Sequence, residues 1–280
     1  MTQEQTPFPP SAGTTLPSRT CPPIAAFDID GTWYRWQLAF EWIKVAVEQG
    51  ILPRIVLTTA QDVLDAYQSR KVPWSKFVSI QVAAYQEQAR MGNIRVSDAE
   101  LVAKITMKRY GSKVHVFTSR LHTAAKNGGY ATAAISGSLQ EIVKVFCHEN
   151  GVMYHLGTTH PHENGFYTGG PPIDFCTDKG AAIQKLVDEH GLDLSEGIAI
   201  GDSETDARML ECVKYPLCMN PNTALASIAR QRRWPIIIER KDCILILSPD
   251  EQGRLSEVEL SDILPQAVAE NLRDLLEYRS

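Results

Sequence analysis

The 280-residue chain is expected to form an α/β fold, a parallel sheet covered on both faces by helices and split by an inserted helical cap. Three observations predict this. The run Pro23-Ile-Ala-Ala-Phe-Asp-Ile ends in Asp30-Gly31-Thr32, as a buried strand gives way to a turn. Short apolar runs alternate with amphipathic segments again from about residue 124. The intervening stretch shows helical spacing and no sustained strand alternation.

Residues 1–22 are rich in Pro, Thr and Ser and read as a flexible tail. Residues 23–36 together with 124–245 are expected to form the core, 37–123 the cap, and 246–280 a C-terminal helical segment. Within the cap, Trp36, Phe40, Ile43 and Val47 make one apolar face, and Val63, Leu64 and Tyr67 another. Trp74, Phe77, Ile80, Gln81 and Ala84 continue at helical spacing, with Gly50, Pro53, Pro73 and Gly92 as punctuation.

In the core, Tyr130–Ile135 reads as a strand and Leu139–Cys147 as a helix. Val152–Leu156 and Gly165–Gly169 read as a hairpin with His160–Asn164 at its tip. Lys179–His190 is a helix closed by Gly191. Gly197–Gly201 is a strand, Ser203–Val213 a helix, and Tyr215–Met219 and Ile236–Glu239 are two further strands. From about Ser256 to Tyr278 the pattern is an amphipathic helix broken or restarted at Pro265.

Composition narrows the function classes. With 28 basic and 33 acidic side chains the net charge is −5, which argues against a dedicated binder of nucleic acid or anionic membrane. No run approaches the ~18 apolar residues of a membrane span, and the N-terminus lacks a secretory pattern. The six cysteines form no C-x-x-C pair, so reduced thiols in a cytoplasmic chain are expected. Oligomeric state is left open.

Three loops after expected strands carry reactive groups, and ligands bind at the carboxyl ends of strands in open α/β sheets. The first holds Asp28 and Asp30, with Gly31 permitting the turn. The second is Ser136-Gly137-Ser138, where Ser138 and Glu141 have the spacing of a capping box. A helix start there would offer free N–H groups to a phosphate. The third is Gly201-Asp202-Ser-Glu-Thr-Asp206, whose two aspartates four apart would point to one side of a helix. Four carboxylates in one crevice repel one another, by about 4 kcal/mol for each close pair. A hard divalent cation removes that repulsion, and Mg²⁺ suits few protein oxygens and a phosphate ligand. Lys179 adds a further positive charge. The set suits a phosphoryl group.

In order, Asp28-Ile-Asp-Gly-Thr32, Ser136, Lys179 and Gly201-Asp202-x-x-x-Asp206 resemble the four motifs of the haloacid dehalogenase superfamily. The helical cap between the first two motifs, Ile135-Ser-Gly-Ser138 and Asp178-Lys179-Gly180 ahead of Ile198-Ala-Ile-Gly-Asp202 resemble its phosphoserine-phosphatase-like branch. The resemblance implies a Rossmann-like core and a Mg²⁺-dependent phosphatase acting on a small phosphate monoester. It implies Asp28 as the nucleophile that forms an aspartyl-phosphate, and Asp30 as the acid and then base. Ser136, Gly137 and Lys179 would bind the phosphoryl group. Mg²⁺ would be held by Asp28, the Asp30 carbonyl and Asp202, with Asp206 in support.

A phosphotransferase, or a non-catalytic phosphate-binding regulatory module, remains as an alternative. Arg35, Gln37 and Glu41 are candidates for the substrate pocket. Where phosphoserine phosphatases carry a glutamate for the substrate's amino group, this chain has Gln37, with Glu41 one turn further on. Trp33, Tyr34 and Trp36 read as packing between core and cap, and His160-x-His162 as a solvated loop rather than a metal site.

Overall fold

The structure, a computed structural model, describes residues 21–72, 83, 87, 88, 90–92 and 94–277. The expected leader up to residue 20, the helical stretch containing Trp74, Phe77, Ile80, Gln81 and Ala84, and Tyr278 lie outside the described residues.

Strand β1 (Pro23–Phe27) is buried along its whole length. It lies parallel between β2 (Ala131–Leu139) and β6 (Asp193–Gly201). A strand covered on both faces needs a continuous apolar run, which Pro-Ile-Ala-Ala-Phe supplies. Beyond β2 lies β3 (Tyr154–Thr158), and beyond β6 lie β7 (Tyr215–Met219) and β8 (Ile236–Arg240), all parallel. Two antiparallel strands, β9 (Cys243–Pro249) and β10 (Leu255–Glu257), complete the eight-stranded order β10-β9-β8-β7-β6-β1-β2-β3. The chain turns to opposite sides of β1, so the crevice above β1, β2 and β6 is the switch point where ligands bind.

Side chains alternate across β1 and build two cores. Ala25 and Phe27 face one layer. It contains α1 (Leu38–Glu48), α3 (Val96–Tyr110), α4 (Val116–Asn127), α5 (Gln140–Asn150) and α10 (Gln266–Glu277). Ile24 and Ala26 face the other. That layer contains α6 (Lys179–His190), α7 (Ala207–Glu211) and α8 (Thr223–Arg232). Helix α2 (Arg54–Gln68) packs through Ala60 and Leu64 on Phe40 of α1. The expected boundary at 123/124 falls inside α4, which packs on β2 and α10.

Several expectations are corrected. Residues 152–156 and 165–169 do not pair as a hairpin. Tyr154–Leu156 joins the main sheet beside β2, because its apolar residues pack against α6 and β2 in a core. The real hairpin is β4 (His162–Glu163) with β5 (Phe166–Tyr167), turned by Asn164 and Gly165 at φ 50° and 81°. Two consecutive positive φ values are what a two-residue hairpin turn requires. His160 is 4% exposed rather than solvated. The expected C-terminal helix does not begin at Ser256, which pairs with Ser248 in the sheet. The helical part is α9 (Leu260–Ile263) and α10, broken at Pro265 as expected.

All six cysteines are free, and Trp33 and Tyr34 are buried as expected. Among the described residues no helix is long and apolar enough to cross a membrane.

Candidate active site

Asp28 follows β1 directly and is 4% exposed. Its backbone N–H donates to the Ile200 carbonyl at 3.0 Å, which ties the first loop to β6. Oδ1 accepts from Lys179 Nζ at 2.6 Å, whereas Oδ2 is buried without a protein hydrogen-bond partner. Lys179 lies at the start of α6, 1% exposed, and also donates to Asp206 Oδ1 at 2.5 Å. Burial opposes its charge, but Asp206 and Asp28 more than offset this and hold the ammonium well above its ordinary value. Burial pushes Asp28 up to about 7, with Lys179 pulling down and the Asp206 and Asp30 charges pushing up.

Asp202 follows β6 and is likewise raised well above the carboxylate range, by burial and then by the Asp28 and Asp206 charges. Carboxylate oxygens of Asp28, Asp202 and Asp206 all lie within 4.8 Å of one another. The expectation that a helix turn aligns Asp202 with Asp206 is corrected in its mechanism. Glu204–Asp206 is a short 3₁₀ turn ahead of α7. Asp206 Oδ2 accepts from the N–H groups of Asp202 and Ser203, both at 2.9 Å. Asp206 therefore shapes the loop that presents Asp202. Close approach also depends on two glycines. A Cβ on Gly31 (φ 90°) would stand 2.1 Å from Asp202 Oδ2, and one on Gly201 would stand 2.4 Å from Asp206 Cβ.

Asp30 is held by a separate set of hydrogen bonds. Oδ1 accepts from the N–H of Leu38, at the start of α1, at 2.6 Å. Oδ2 accepts from the hydroxyls of Ser136 at 2.8 Å and Ser138 at 2.7 Å. Burial raises this carboxyl above its ordinary value despite those bonds, which pull the other way. The Ser138 capping box is thus overturned: Leu139 is the N-cap of α5 and makes no side-chain cap. β2 runs through Ser136-Gly137-Ser138, so the Ser138 hydroxyl turns to Asp30 instead. Gly137 is exposed, and a Cβ on it would lie 2.8 Å from Cys176 Sγ.

A cleft of about 510 Å³ opens above Asp30, Gly31 and Asp202. Arg35, Trp36, Gln37, Tyr67, His115, Asn220 and Glu239 are among its lining residues. Glu41 is not among its lining residues. It is 2% exposed and bonded to Lys44 at 3.1 Å and Lys113 at 3.0 Å. Its place as a pocket residue is therefore corrected: Glu41 faces inward on α1 and needs those two cations. Ser138, Asn220, Glu239 and His115 were not anticipated. The αL backbone of Asn220 (φ 43°) is a local signal at a residue type that tolerates it, but nothing local marks Glu239 or His115.

The family model of the haloacid dehalogenase-like hydrolases matches residues 25–211. A probable phosphatase of Mycobacterium tuberculosis is 27% identical over 249 residues, which cover 84% of this chain and 80% of that protein. A phosphoserine phosphatase of the same organism is 30% identical over 145 residues, covering 50% of this chain and 47% of that protein. Among solved structures, a Bordetella pertussis protein of unknown function superposes with a TM-score of 0.64 at 20% identity. It covers 79% of this chain and 99% of its own. A phospho-aspartyl intermediate analogue of phosphoserine phosphatase superposes with a TM-score of 0.52 at 16% identity, covering 79% and 95%. The parallel sheet, its switch-point carboxylates and these matches define a hydrolase built on a Rossmann-like sheet. The chain belongs to the haloacid dehalogenase-like hydrolases.

Proposed function

We propose that the chain is a phosphomonoesterase that hydrolyses a small phosphate ester through an aspartyl-phosphate on Asp28, with Mg²⁺ as cofactor. The observation that carries this reading is the asymmetry of Asp28. One oxygen is neutralised by Lys179, and the other is buried, unpartnered and faced by further carboxylates. A buried carboxylate oxygen without a partner is costly unless a ligand completes it. The hard oxygen donors of Asp28 and Asp202 suit Mg²⁺, with the Asp30 carbonyl as the third protein donor and Asp206 behind them. When bound, Mg²⁺ would neutralise these carboxylates and the charge on the phosphoryl oxygens.

The chain's own groups account for the remaining chemistry. The Asp28 carboxylate attacks phosphorus while Lys179 and the exposed backbone at Gly137 hold the phosphoryl oxygens. Asp30, raised by burial, gives its proton to the leaving alcohol and then accepts one from the water that hydrolyses the aspartyl-phosphate. Ser136 and Ser138 hold that carboxyl in place. The cleft volume fits a small ester.

The test is hydrolysis of p-nitrophenyl phosphate and a panel of natural esters with Mg²⁺. Wild type is expected to release phosphate, and Asp28→Asn to lose at least about a thousandfold. Inactivity of the wild type across the panel would sink the enzyme reading. Steady turnover by Asp28→Asn would sink the nucleophile assignment alone.

A further inference from the structure

One wall of the cleft is built by Glu239, which the proposed chemistry does not use. This residue stands near the end of β8 and is 8% exposed. Its carboxylate accepts from Arg35 Nη2 at 3.0 Å and His115 Nδ1 at 3.2 Å. It also accepts from the N–H groups of Val116 at 3.1 Å and Phe117 at 2.8 Å. Burial pushes this carboxyl up, but the bonds from His115, Phe117 and Val116 prevail and hold it below its ordinary value.

Those bonds fix what the wall presents. Arg35 Nε donates to the Val114 carbonyl at 2.8 Å, so the guanidinium is held from two sides. Two of its five N–H groups are thereby used, and the half-exposed side chain lines the cleft with the rest. An ionised carboxylate only accepts, so His115 donates through Nδ1 and keeps Nε2 for another partner. Asn220 Oδ1 accepts from the Glu239 N–H at 2.9 Å, which leaves its amide donors. Arg240 adds a second guanidinium to the lining. Gln37, also in the lining, is 8% exposed and its Oε1 has no hydrogen-bond partner.

We infer that the leaving alcohol carries a second anionic group and no ammonium, with Arg35 binding that group and Glu239 acting as its positioning residue. The inference rests on the phosphatase reading and names its substrate class. A guanidinium fork held by two anchors matches the oxygens of a carboxylate or a phosphate. An ammonium would meet cations on this wall and no uncommitted carboxylate. Glu239 already accepts four hydrogen bonds, Glu41 is held by Lys44 and Lys113 and is not in the lining, and Gln37 offers only a neutral oxygen. That oxygen suits a hydroxyl beside the anionic group.

Three matched esters test this with Mg²⁺: 3-phosphoglycerate, O-phosphoserine, which replaces its hydroxyl by ammonium, and glycerol 3-phosphate, which lacks its carboxylate. Wild-type kcat/KM for 3-phosphoglycerate is expected to exceed both others by about tenfold or more. A bisphosphate of propanediol surpassing 3-phosphoglycerate would support the inference and assign the second group as phosphate. Arg35→Met should bring the ratio of 3-phosphoglycerate to glycerol 3-phosphate near one. Glu239→Gln should lower it through KM, whereas a merely structural defect lowers both esters alike.

Should the variants fail to fold, inhibition of the wild type decides. Glycerate is expected to compete at least about tenfold better than glycerol or serine. Equal rates on the three esters, preference for phosphoserine, or equal inhibition would overturn the inference and leave the phosphatase reading standing. Absence of hydrolysis on every ester would remove both.

Discussion

Lys179 concentrates the electrostatics of the site in one side chain. It sits between Asp28 and Asp206 at 2.6 and 2.5 Å, 1% exposed. Removing one member of a buried ion pair leaves an uncompensated charge and destabilises by about 3–5 kcal/mol. Lys179→Met is therefore expected to unfold at lower urea than wild type by that amount, with Mg²⁺ restoring part of the loss by supplying a substitute charge. Urea titrations of both proteins with and without Mg²⁺ measure this, and equal midpoints without Mg²⁺ would contradict it. The motif pattern marked this lysine because it opens a helix just ahead of the strand that carries Asp202. The bond of Ser138 to Asp30 had no such marker. Its spacing to Glu141 suggested a cap, yet the strand continues past it and turns the hydroxyl into the site.

At the scale of elements, α4 is held by a buried histidine. His122 is 4% exposed and packs against Trp33 with ring centroids 4.7 Å apart and against Phe27 at 5.6 Å. Burial, aided by Lys126, lowers it to about 4. An unfolded histidine titrates near 6.5, so between those values the unfolded chain binds a proton that the folded chain refuses. Stability from this group is complete above about pH 6.5 and is lost as pH falls towards 4, by up to about 3 kcal/mol. His160, also lowered to about 4 by burial, acts in the same direction. The difference in urea stability between wild type and His122→Leu should therefore shift in favour of the variant as pH drops from 7 to 4. A pH-independent difference would refute it. Helices and parallel strands of this core were readable from periodicity, as α6 shows, ending at Gly191 with φ 63°. The antiparallel strands β9 and β10 were not. A four-residue apolar run such as Ile244–Leu247 is too short to tell a strand from a helix without its pairing partner.

For the whole molecule, α10 closes one layer of the core over α4. Val268, Ala269 and Leu272 are at most 1% exposed, and all belong to the same core as Phe27. Leu272→Ala is expected to cost about 2–5 kcal/mol, read as a lower urea midpoint at unchanged slope. A change below about 1 kcal/mol would show that the helix is dispensable to the fold.

What the sequence determined by itself is local. Two acids bracketing the end of a buried strand, a glycine that alone permits the φ of 90° at Gly31, and an aspartate four residues after another depend on neighbours a few positions away. Such rules made the α/β class legible, and the resemblance of the ordered motifs grouped Asp28 with Asp202, Asp206 and Lys179. The tertiary structure decided which distant groups complete the cleft. Glu239 meets Arg35 across 204 positions and His115 across 124. It is buried there because only those donors and the first turn of α4 can satisfy its charge. The same demand drew Glu41 to Lys44 and Lys113 rather than into the pocket. Partnering of buried charge depends on how layers stack, and no spacing along the chain encodes it.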